Sequence, residues 1–225
     1  MKRPILVALA LAAMLGFVAL GMWQVERRAW KLDLIARVDA RVTGRPIPLR
    51  RDMDPAREEY RRVQISGEFL HDRVTLVQAL TQEGAGYWAI TPLRTAQGIV
   101  LVNRGFVPNR DTLKGRDAQG PDGEVLVTGL LRVSEPGGGF LRANDPANGR
   151  WYSRDVTAIA RAQRLGPVPP FFIDQGAGPH PGPYPLGGLT VVRFNNNHLV
   201  YAVTWFALAG LSAYAALLLL RRKPA

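Results

Sequence analysis

The strongest constraint on this chain is an apolar segment near its C-terminal end. From Leu199 to Leu220 no residue is charged, and Leu, Ala, Val, Phe, Trp and Tyr dominate. That length suits a helix crossing a hydrocarbon core of about 30 Å at about 1.5 Å per residue. Asn195-Asn196-Asn197 stand before it and can cap a first turn whose N–H groups lack intrahelical partners. A helix beginning there puts His198, Tyr201 or Ala202, and Trp205 on one face over two turns. An imidazole on an aromatic-lined face at the lip of a membrane is a candidate ligand for a flat, apolar, metal-containing molecule. Interfacial anchoring by Tyr and Trp, with a local hydrogen bond from His198, accounts for the same pattern.

A second apolar run, Ile5 to Trp23, follows Met1-Lys2-Arg3. It is long for a signal-peptide core, and Met22-Trp23-Gln24 make a poor cleavage site, so an uncleaved membrane helix is expected. No Arg/Ser-rich transit segment precedes it, which favours a bacterial protein. Ala12 and Gly16, like Ala209 and Ala213, place small residues four apart, a spacing that permits close helix packing. Lys2 and Arg3 before the first span compete with Arg27, Arg28 and Lys31 after it. The second span is clearer, with Arg193 before it and Arg221, Arg222 and Lys223 after it, so the C-terminus is expected in the cytoplasm. Two spans then place the N-terminus there as well, and the middle of the chain in the periplasm of a bacterial inner membrane. The expected layout is a cytoplasmic end over 1–4, a transmembrane helix over 5–25 that continues as helix to about 43, and a periplasmic domain over 44–197. A second transmembrane helix over 198–220 and a cytoplasmic end over 221–225 complete it.

Composition removes several alternatives. A formal charge of +11 fits an anionic lipid, an acidic ligand or a nucleic acid, and the expected periplasmic placement argues against the last. There is no cysteine, so disulfides, thiolate metal sites and covalent haem attachment are excluded. Only His71, His180 and His198 could supply imidazole to a metal.

The middle of the chain reads as short strands punctuated by Gly and Pro. Strands are predicted over 60–66, 74–80, 87–94, 98–107, 125–133, 171–174 and 189–194. Turns are predicted at Gly84-Ala85-Gly86, Ala96-Gln97-Gly98 and Gly120–Gly123. One helix is predicted from Val156 to Leu165, capped by Asp155 and stopped by Gly166-Pro167. The fold class expected is therefore membrane α+β: two transmembrane helices flanking a mainly antiparallel β domain, a sheet or partial barrel, with at least one helix. No G-x-S-x-G, H-E-x-x-H, P-loop or G-x-G-x-x-G occurs, so no enzyme is expected. His71-Asp72 reads as a solvated loop pair rather than a base with its orienter, and His180 sits in a Pro-rich loop. Arg104 closes an apolar strand and could hold a structural carboxylate or point at a ligand.

Several blocks taken together resemble the surfeit locus protein 1 family of cytochrome c oxidase assembly factors. They run from Leu20-Gly21-Met22-Trp23-Gln24-Val25-Glu26-Arg27-Arg28 through Tyr60-Arg61-Arg62-Val63, Thr91-Pro92-Leu93 and Leu101-Val102-Asn103-Arg104-Gly105-Phe106-Val107-Pro108. They continue through Asn144-Asp145-Pro146, Trp151, Arg154-Asp155 and Phe172-Ile173-Asp174 to Asn197-His198-Leu199, Tyr201 and Thr204-Trp205. The resemblance implies a two-span protein that binds haem a transiently, receives it from a haem a synthase and helps load it into oxidase subunit I. It implies His198 as axial ligand to the haem iron, with Trp205 near the haem. Tyr201 and Trp23 are the further expected pocket residues, and Arg27, Arg28 or Arg104 are expected propionate contacts. Membrane lipid is the remaining expected partner. The alternative is a scaffold that steadies apo subunit I and never ligates haem, in which Ala12, Gly16 or Gly210 would matter more than His198.

Overall fold

The computed structural model describes residues 2–114, 120–178, 184–192 and 194–221. In chain order the elements are α1 (Lys2–Thr43), β1 (Ile47–Pro48), α2 (Pro55–Glu58), β2 (Arg62–Phe69), β3 (Thr75–Thr81) and β4 (Gly84–Thr95). They continue with β5 (Gly98–Val107), β6 (Glu124–Val133), α3 (Val156–Ala162), β7 (Phe171–Gln175) and α4 (His198–Arg221). The chain divides into two compact units, Met1–Arg37 with Arg193–Ala225, and Val38–Val192.

The first unit is an antiparallel helix pair. Both α1 and α4 contain stretches long and apolar enough to cross a membrane. Along α1 as far as Gln24 the less exposed positions are Arg3, Val7, Ala10, Met14, Phe17, Gly21 and Gln24, and along α4 they include His198, Ala202, Trp205, Ala209, Ser212, Ala216 and Leu219. Both series step by four and three, the spacing of a left-handed, coiled-coil-like seam. The two helices keep one register: Arg3 donates to the carbonyls of Leu219 and Leu220, Phe17 stacks on Trp205, and Gln24 meets His198. Gly21 permits a close approach, since a Cβ there would lie 2.6 Å from the Phe206 ring. The small-residue pair Ala12 and Gly16 expected at a packing face is exposed instead, and Gly16 and Gly210 have nothing within 4 Å of an added Cβ. Spacing of four alone does not say which side of a helix is covered; the seam runs through Gly21, Ala202, Ala209 and Ala216.

The second unit is a seven-stranded sheet in the order β1-β2-β6-β7-β5-β4-β3. A further antiparallel pairing of Glu68 with Arg94 and Phe69 with Leu93 joins β2 to β4, closing five of the strands into a barrel. Gly67 stands at this closure, where a Cβ would collide with the Arg94 carbonyl. Alternation then sorts the side chains into two cores. Val63 and Ile65, Val100 and Val102, Val127 and Leu131, and Phe171 and Ile173 cluster with Leu49 and Met53. Leu101 and Phe172, one residue out of phase, pack with Trp151 and with Val156, Ile159 and Ala160 of α3. Each fully buried side chain of this size stabilises by about 1.5–3 kcal/mol.

The sheet is mainly antiparallel, as expected, with two short parallel pairings, β1–β2 and β5–β7. β7 returns to the sheet after the segment that holds α3, and it enters between β6 and β5 rather than folding back as a hairpin. The predicted strand over 189–194 is absent over its described residues: 189–192 and 194 are irregular, and Arg193 lies outside the described residues. Gly187 and Gly188 precede it, and the Thr190 hydroxyl is committed to Asp174 at 3.0 Å. Gly84-Ala85-Gly86 starts β4, and the turn is formed by Gln82-Glu83, held by the Glu83 N–H on Thr81 Oγ1 at 3.1 Å. β2 starts at Arg62 rather than Tyr60, which adopts φ of 64°. Helix α3 is capped by Asp155, which accepts from the Ala158 N–H at 3.0 Å. It ends at Ala162 because Arg164 turns left-handed (φ 53°), before Gly166 is reached.

Candidate functional site

Among the described residues, the helix pair holds one polar contact between side chains of its apolar seam. At the start of α4, His198 Nδ1 lies 2.7 Å from Gln24 Oε1 of α1. Gln24 is only 9 % exposed, one of few buried polar side chains among the described residues. An amide oxygen can only accept, so this contact requires a proton on Nδ1. The neutral imidazole then carries its lone pair on Nε2, the nitrogen that can bind a metal. Close by in sequence, Asn196 Oδ1 is buried without a hydrogen-bond partner among the described residues, so it does not cap α4 as expected of the asparagine run. An unsatisfied buried acceptor costs stability unless something donates to it.

Around this contact the expected residues part company. Ala202 and Trp205 share the inward face with His198, and Trp205 stacks on Phe17 with ring centroids 5.6 Å apart. Tyr201 and Trp23 are each 54 % exposed on the outer surfaces of their helices. Arg27 lies over the Trp30 ring at 4.0 Å, Arg28 is half-buried, and Lys31 lies over Phe194 at 5.3 Å. Cations are therefore clustered one to two turns beyond Gln24 on α1.

Arg104 belongs to the sheet unit and is 4 % exposed there. Its guanidinium stacks over Phe69 at 4.8 Å and reaches His71 Nδ1 at 3.5 Å, while His71 Nε2 lies 3.2 Å from the Pro121 carbonyl. Burial pushes Arg104 down to about 10, which leaves it cationic at neutral pH. His71 is thus a partner of Arg104, and Asp72 pairs with Arg73 instead of orienting the imidazole. His180 lies outside the described residues.

The buried charge of the sheet unit centres on Asp174, 2 % exposed. Its carboxylate accepts from Asn103 at 2.8 Å, Arg132 at 2.9 Å, Arg154 at 3.2 Å and Thr190 at 3.0 Å. Arg154 also binds Glu135. Burial by itself would raise the Glu135 carboxyl, but the hydrogen bonds and charge of Arg154 outweigh it and hold Glu135 below the usual range. Burial likewise works against the Arg154 cation, and Glu135 with Asp174 prevails, raising it. Every member is satisfied by another member, which is the chemistry of a fixed junction between β5, β6 and β7.

Among the described residues no cluster of three or more His, Cys, Asp or Glu side chains could hold a bare metal ion. A single imidazole suffices only for a metal that brings its own equatorial ligands, as iron in a macrocycle does. Gln24 is the site residue that sequence reasoning missed. Its signal was present as an uncharged polar residue directly after an apolar span, in step with Phe17 and Gly21 at helical spacing.

Comparison with known proteins agrees with this layout. Residues 11–210, which include most of both long helices and all the sheet, match the SURF1 family. Surfeit locus protein 1 of Xenopus tropicalis is 37 % identical over 216 residues, covering 87 % of this chain and 69 % of its own length. The Homo sapiens protein of the same name is 36 % identical over 217 residues, covering 87 % of this chain and 71 % of its own. A SURF1-like protein of Monosiga brevicollis is 36 % identical over 220 residues, covering 91 % and 83 %. This chain belongs to the SURF1 family of assembly factors, and that membership implies a role in cytochrome c oxidase assembly.

Proposed function

We propose that this protein spans a membrane twice, binds haem a at the start of α4 and helps deliver it to cytochrome c oxidase subunit I after a haem a synthase has made it. The single observation that carries the reading is the 2.7 Å contact between His198 Nδ1 and Gln24 Oε1, which leaves Nε2 as a lone-pair donor. His198 would hold the iron as an axial ligand, and Trp205, on the same inward face, would offer aromatic surface. The group itself supplies a metal already held in its own plane, so one protein nitrogen is enough. Arg27 and Arg28 would meet the propionate carboxylates. Asn196 Oδ1 is an acceptor waiting for a donor close to the same imidazole in the chain. The basic residues at and after Arg221 favour both termini on the cytoplasmic side and the sheet unit in the periplasm.

A non-haem scaffold for apo subunit I is the second reading. The outer faces of the helix pair favour it, since Leu9, Leu15, Val203 and Leu211 are all exposed apolar surface that another membrane helix could cover. The two readings separate in the visible spectrum of the detergent-purified protein, co-expressed with a haem a synthase, beside His198→Ala. Stoichiometric haem in the parent that is lost or shifted in the variant supports the carrier. A colourless parent with verified haem a supply supports the scaffold. An unchanged variant spectrum removes His198 as the ligand.

A further inference from the structure

We infer that Gln24 is the positioning residue for His198: it fixes the proton on Nδ1, presents Nε2 as the ligand nitrogen, and, being an amide rather than a carboxylate, keeps that ligand weak enough to release what it binds. The ligand-strength part rests on the haem reading above; the tautomer part does not.

The geometry supports this in three ways. The Nδ1–Oε1 distance of 2.7 Å is that of a short, well-formed hydrogen bond, and both partners sit on the inward seam. Gln24 is buried, so its carbonyl has little water to turn to. Gly21, one turn before it, allows α1 to approach α4 at Phe206, which brings the Gln24 amide within reach of the imidazole. Metal-bound imidazoles commonly donate their second N–H to a carboxylate or a carbonyl, and the stronger the acceptor, the more basic the ligand nitrogen. A carboxylate at position 24 would push the imidazole towards imidazolate and tighten its hold on iron. A neutral amide fixes orientation and tautomer with much less push. A carrier needs both a defined ligand and an easy exit.

The test uses the full-length protein in detergent, with Gln24→Leu and Gln24→Glu. Nitrogen NMR of histidine-labelled protein without haem reads the tautomer directly, with three imidazoles in the whole chain to assign. The expected result is a proton on Nδ1 of His198 in the parent, and loss of that preference in Gln24→Leu. With haem, Gln24→Leu is expected to bind about 10- to 100-fold more weakly. Gln24→Glu is expected to bind at least as tightly as the parent, with a lower iron midpoint potential and slower transfer to apomyoglobin. Spin labels at Leu9→Cys and Leu211→Cys, in a chain with no other cysteine, report whether the helices still pair in each variant. A proton on Nε2 in the parent overturns the inference, because the amide would then be donating. So does Gln24→Leu binding haem as the parent does, or Gln24→Glu losing as much affinity as Gln24→Leu with pairing intact. A parent that binds no haem defeats the proposed function and the ligand-strength part together, while the tautomer result still decides what Gln24 does to His198.

Discussion

The two units bury polar groups in opposite ways. In the sheet unit Asp174 accepts from four side chains, and its arginine partners are shared with Glu135. In the helix pair His198 makes one hydrogen bond and leaves its other ring nitrogen outside any hydrogen bond among the described residues. A saturated network is rigid and has nothing left to offer a ligand. A half-used imidazole is an open valence. The difference separates a polar cluster that builds the fold from one that can do chemistry, although both are inconspicuous in the sequence.

The comparison breaks first at its largest energy. Asp174→Asn should take the buried anion from between Arg132 and Arg154 and leave them only the more exposed Glu135 and Glu59, costing on the order of 3 kcal/mol. Thermal unfolding should show the sheet unit melting on the order of 10 °C earlier. Gln24→Leu should leave that transition where it is. Equal losses from both substitutions would erase the distinction.

Next comes the seam. Gly21→Ala drives a methyl group into the Phe206 ring and should weaken helix pairing by about 1–3 kcal/mol. Adding Phe206→Ala should restore much of the pairing, read as the spin-label distance distribution between the helices. Gly16→Ala, with open space around it, should leave the distances unchanged.

A smaller effect is expected at the other end of the pair. Arg3 donates to the last carbonyls of α4, at Leu219 and Leu220. Arg3→Gln should cost about 0.3–1 kcal/mol and fray only the final turn, seen as faster amide exchange there.

The smallest effect is confined to acid. Glu135 is held below its ordinary range, so its contribution is present above the unfolded value, near about 4.3, and fades as pH falls through the lowered one. Glu135→Gln should therefore flatten the fall in stability of the sheet unit below about pH 4. A variant curve that stays parallel to the parent in that range would assign the acid sensitivity to another carboxylate.

Much of this was legible in advance. Strand β5 has the bounds that its apolar run and flanking turn dictate, and the Asp155 cap is where a short polar side chain precedes a helical repeat. The details that were not legible share a physical cause. A strand's pairing partner is set by where the chain returns, so the parallel entry of β7 beside β5 carries no local signature. Thr190 has strand-like neighbours, yet its hydroxyl is claimed by Asp174 from a distant strand. Ala12 and Gly16 satisfy a packing spacing on a side of α1 that nothing covers.

The sequence by itself determined two membrane-length helices, a β-rich middle and His198 at the threshold of the second helix. Hydrophobic length and period are local quantities, carried by neighbours in the chain. Only the tertiary structure decided that α1 and α4 meet along Gly21 and Phe206, that β2 closes on β4 past Gly67, and that Gln24 lies against His198. These contacts join residues far apart in the chain, and which face of a helix or edge of a sheet is used follows from the packing of whole elements rather than from any one segment.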